Sequence, residues 1–108
     1  MESMENDVVI GTELKLNLNI PPTGGVSASK YNFELDFYCT PSKVKKIQKE
    51  EVISVDDDNF IVCLNTKDVG KGLLKCKVTA HVPDEDFADG IRTEIIIVQT
   101  NINIIKDV

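Results

Sequence analysis

The stretch YNFELDFYC, residues 31–39, alternates from its first residue to its seventh and resumes at its last. Tyr31, Phe33, Leu35, Phe37 and Cys39 fall on one side of an extended chain; Asn32, Glu34 and Asp36 fall on the other. A period of two is the side-chain period of a β-strand, and wound as a helix the same residues would spread their apolar groups around the axis. Aromatic side chains suit a half-buried pleated surface, so this strand is expected at the centre of the core. Tyr38 breaks the pattern by standing on the polar side.

The same period extends outward in both directions. ELKLNLNI (13–20) sets Leu14, Leu16, Leu18 and Ile20 against Lys15, Asn17 and Asn19. PPTGGVSAS (21–29), with two prolines and two glycines, is a loop. LLKCKVTAHV (73–82) points Leu74, Cys76, Val78, Ala80 and Val82 inward and Lys75, Lys77, Thr79 and His81 outward. FIVCLN (60–65) is apolar on both sides, with Phe60, Val62 and Leu64 opposed by Ile61 and Cys63, which predicts a strand covered on both faces. IRTEIIIVQT (91–100) carries an uninterrupted run, Ile95 to Val98, that predicts burial on both faces or contact with a partner. NINIIK (101–106) is a last strand. VKKIQKEEVISV (44–55) is less regular. Its Lys, Gln and Glu favour a helix, but Val52, Ile53 and Val55 are β-branched, so short strands near 44–48 and 51–55 are expected. The basic KVKK (43–46) belongs to a solvated strand edge, where lysines discourage pairing with another chain.

Seven or eight short strands separated by turns in 108 residues predict an all-β chain, a single immunoglobulin-like β-sandwich over residues 10–108 behind an N-terminal arm, 1–9. A chain of this length holds one core. There is no tryptophan, so the Cys–Trp–Cys signature of antibody domains is missing. Three cysteines cannot all pair within one chain and none lies in a Cys-x-x-Cys spacing, so reduced thiols are expected and structural zinc is not. MESMENDVV (1–9) has neither the basic start nor the apolar run of a secretory signal. No stretch approaches the length of a membrane-spanning helix. The net charge of −6 disfavours binding to phosphate backbones.

Four candidate chemistries can be weighed. DEDFADGIRTE (84–94) holds five carboxylates. Asp84 and Asp86 fit the first two places of a calcium loop, but Ala88 stands in the third and Ile96 lies where the closing glutamate belongs, so an acidic turn is the better reading. Paired carboxylates for glycoside hydrolysis need a cleft that a sandwich this small rarely offers. His81, the sole histidine, lies on the opposite face from Cys39 and Cys76, so no nucleophile–base pair is expected. GKG (70–72) lacks the spacing of a phosphate-binding loop. No catalytic residue, metal ligand or cofactor is therefore assigned, and the chain is not expected to be an enzyme.

Three segments, in order, carry a resemblance: NFELDFYCT (32–40), NFIVCLNTKDVGKGLLKCKVTAHVPDEDFADGIRTE (59–94) and NINII (101–105). Together they resemble small Ig-like structural proteins encoded in phages and prophages of gut Bacteroidetes. They are also similar to the N-terminal β-sandwich module of phage baseplate upper and tail-fibre proteins. The resemblance spans roughly residues 10–106. It implies a virion structural protein (a tail, baseplate, neck or capsid-decorating subunit) made in the host cytoplasm. Its implied partners are other virion subunits and further copies of itself, with no nucleic acid and no membrane. The shared motifs are turns and strands, and no receptor-binding domain follows them, which favours a connector or decoration subunit over host recognition. In that role PDEDFADG (83–90) is a loop between two long strands, with Phe87 tucked into the end of the sandwich. Tyr38, Ile61, Ile96 and Val98, apolar and outside the inferred core face, are the expected contact residues. The alternative is a cell-surface Ig-like module binding a ligand or carbohydrate, which calls for export and clustered exposed aromatics.

Overall fold

The computed structural model describes residues 6–106, and its regular structure is eight strands and three short 3-10 turns. The strands are β1 (Asn6–Val9), β2 (Glu13–Asn19), β3 (Asn32–Tyr38), β4 (Val44–Gln48), β5 (Ile53–Ser54), β6 (Asn59–Asn65), β7 (Gly72–Pro83) and β8 (Ile91–Ile105). They form two sheets, one in the order β1-β8-β7-β3-β4 and the other β2-β6-β5. Neighbours pair antiparallel except β1, which runs parallel to β8. The result is an all-β sandwich.

The core follows from the alternation. Tyr31, Phe33, Leu35, Phe37 and Cys39 are buried, and so are Leu74, Cys76, Val78, Ala80 and Val82 beside them on β7. From the facing sheet come Leu18, Phe60, Val62 and Leu64, with Leu14 and Leu16 half-buried. Phe33 and Phe60 meet edge to face between the sheets, centroids 5.2 Å apart, the arrangement that the ring quadrupole favours. Burial of such side chains is the main favourable term of folding, roughly 1.5–3 kcal/mol each.

Polar side chains close the ends. Thr66, completely buried, donates from its hydroxyl to the Thr12 carbonyl at 2.9 Å and accepts from the Gly11 N–H at 2.7 Å. Its own N–H reaches the same Thr12 carbonyl. The turn after β6 is thereby tied to the start of β2. At the other end, the Lys49 ammonium donates to the carbonyls of Ala28, Ser29 and Tyr31 at 3.2, 3.1 and 2.6 Å and lies 5.5 Å from the centre of the Phe33 ring. Burial lowers its pKa. One lysine thus satisfies carbonyls that a buried loop would otherwise strand.

The architecture departs from the sequence-based expectation in five places. Val52 to Val55 give only the two-residue β5, because a 3-10 turn occupies Lys49–Glu51 and the Asp56 carboxylate gathers the N–H groups of Asp58 and Asn59 into a tight turn. β6 is covered on one face only, leaving Cys63 exposed and Ile61 half-buried. The segments 91–100 and 101–106 make one continuous strand. Phe87 is 48% exposed and does not enter the core. Of the expected arm, residues 1–5 lie outside the described residues, and Asn6–Val9 form β1, in register with Ile102–Ile105.

β8 stays continuous through a bulge. Lys75 pairs with Gln99 and Leu73 with Asn103, so three residues of β8 stand against Leu74 alone. Thr100 repairs the ladder there: its hydroxyl donates to the Leu74 carbonyl at 2.8 Å and accepts from the Ile102 N–H at 3.1 Å.

Candidate functional site

Among the described residues, the large sheet has one long edge that no strand covers. β7 flanks one side of β8 along its length, but on the other side β1 begins only at Ile102. Among the described residues no strand pairs with the outer edge of β8 from Ile91 to Thr100. Backbone donors and acceptors along such an edge form a ready template for another strand, and proteins usually blunt it with lysine, proline or brevity. The other edges here obey that rule. β4 exposes Lys45 and Lys46, β2 carries Glu13 and Lys15, and β5 has two residues. β8 has no charged residue from Ile95 to Ile105.

The register decides which side chains decorate this edge. Ile96 and Val98 stand opposite the buried Val78 and Cys76, so they face inward and pack half-buried against the core. Ile95 and Ile97 stand opposite Thr79 and Lys77, face outward, and are 62% and 52% exposed. Ile91, at the strand's start, is exposed as well. The expectation that Ile96 and Val98 leave the core face is therefore corrected: the outward pair is Ile95 and Ile97. Tyr38 and Ile61 do lie outside the core, on different sheets. Tyr38, half-buried, has the Lys75 ammonium 6.0 Å from its ring centre. Ile61 is half-buried between Asn17 and Ile53 on the outer face of the small sheet. The four expected contact residues do not form one patch.

Away from β8, the outer face of the large sheet is charged and internally paired. Lys46 reaches Asp36 at 3.0 Å and Glu34 at 3.6 Å, and Lys77 reaches Asp36 at 3.7 Å. His81 lies 3.9 Å from Glu34. Charge thus covers β4, β3 and β7, and gives way to isoleucine at β8. Behind the edge, a cleft of about 510 Å³ opens between the sheets, walled by Leu16 and Leu18 of β2 and by Val98 and Ile102 of β8, with Phe37 at its base.

The acidic loop is a braced turn. The Asp84 N–H donates to the Gly90 carbonyl, and Gly90 adopts φ +77°, open to glycine at little steric cost. Asp84 accepts from the Asp86 N–H and Asp89 from the Ile91 N–H. Arg92 pairs with Asp84 and, at 2.7 Å, with Glu94, which also accepts from the Thr23 hydroxyl at 2.8 Å. Gly24 leaves room for this guanidinium, since a Cβ there would lie 2.9 Å from it. The Asp86 N–H and then Arg92 hold the Asp84 carboxyl below its usual range; the Thr23 hydroxyl and then Arg92 do the same for Glu94. Among the described residues no three His, Cys, Asp or Glu side chains are grouped to hold a metal ion.

Cys39 and Cys76 lie on the core side of the large sheet and His81 on its outer face, while Cys63 is exposed on β6 of the small sheet. Cys39 donates to the Gly70 and Gly72 carbonyls at 3.4 Å each. Burial, helped by the Asp36 carboxylate, pushes the Cys76 thiol up to about 12. All three cysteines are free thiols.

Sequence reading missed Ile95 and Ile97 because four consecutive apolar residues show no phase of their own. The polar residues just before them, Arg92 and Glu94, stand on the inward side, held at the end of the sandwich by Asp84 and Thr23. The usable signal lay downstream: counting back in twos from the buried Ile104 leads to Val98 and Ile96. Comparison with protein-family models, with curated proteins and with solved structures found no match for this chain.

Proposed function

We propose that this protein is a phage virion structural subunit, of the tail, baseplate, neck or capsid surface, that acts through protein–protein contacts and without catalysis. The observation that carries the docking role is the edge of β8 that the described residues leave open, free of charged residues from Ile95 onward and with Ile95 and Ile97 exposed beside it. A monomer working alone gains nothing from such an edge and risks aggregation, whereas a docking subunit uses it. The phage assignment rests on the resemblance carried by residues 32–40, 59–94 and 101–105. The sheet orders β8-β7-β3-β4 and β2-β6-β5 support an immunoglobulin-type reading, since they run as G-F-C-C′ and B-E-D. An adhesion module for carbohydrate is less well supported. Tyr31, Phe33, Phe37 and Phe60 are buried, which leaves no exposed aromatic cluster for a sugar to stack on. Mass spectrometry of purified particles tests the proposal: the chain is expected in them at a fixed ratio to the other subunits. Its recovery only at the cell surface would favour the adhesion module.

A further inference from the structure

We draw no further inference here: the strongest candidate, the cleft between β2 and the outer edge of β8 with Ile95 and Ile97 exposed beside it, belongs to the docking surface already described, and nothing among the described residues shows what covers it.

Discussion

β3 and β8 are both rich in large apolar residues, and they use them differently. β3 lies between β7 and β4 and buries every second side chain completely. β8 has β7 on one side and, along most of its length, no described strand on the other. Its inward isoleucine and valine are only half-buried, and its outward isoleucines face water. Hydrophobicity alone does not separate the two strands. What separates them is whether a strand lies on both sides and whether the facing sheet reaches over. The small sheet has three strands to the large sheet's five, so it covers the middle and leaves the flank at β8 thinly packed.

The sharpest test of that contrast removes a large side chain from each strand. Phe33→Ala should cost about 3–5 kcal/mol in urea unfolding, as large cavities in cores do, whereas Ile95→Ala should stay within about 0.5 kcal/mol in dilute protein. If Ile95→Ala proved equally costly, β8 would be covered on both faces. A second test works within β8. Val98→Asp sets a carboxylate against the core and should destabilise by about 1–3 kcal/mol; Ile97→Asp, one residue away, should fall within about 0.5 kcal/mol. The reverse order would put β8 in the opposite phase.

Smaller effects probe the end where β8 starts. The folded-state pKa values of Asp84 and Glu94 lie below their ordinary 3.8 and 4.5. A depressed carboxylate contributes its full stability above its unfolded value and loses it as pH falls through the folded one. Unfolding midpoints should therefore hold above about pH 5 and drop below pH 4, and Arg92→Met should make that drop shallower. An unchanged acid limb would mean that the guanidinium braces nothing. Thiol labelling gives the smallest readout. Cys63 should react in the native protein, while Cys39 and Cys76 should react only after unfolding, since the thiolate is the reactive form and both are buried.

The strands that hold the core were legible because alternation states which face is wet. Leu14 to Ile20, Tyr31 to Cys39 and Leu74 to Val82 each declare a phase, and all three phases hold in the structure. Ile95 to Val98 declare none, and the polar residues just before them are inward ones engaged at the sandwich end, so the inferred phase came out inverted. β1 was illegible for another reason: four residues with a single asparagine and aspartate carry too little pattern to mark a strand, and their pairing is set by the far end of the chain. Phe87 shows the limit of hydrophobicity as a guide, because the turn braced by Asp84, Asp89 and Gly90 fixes its position before packing can.

Lys49 fills a place that many loops leave to a bound metal or a trapped solvent molecule: a positive group ringed by three main-chain oxygens. Because this cation is covalently part of the polypeptide, dialysis cannot remove it and a chelator cannot compete for it. The segment from Ala28 to Tyr31 is pinned as soon as the lysine arrives, whatever salts the surrounding medium holds.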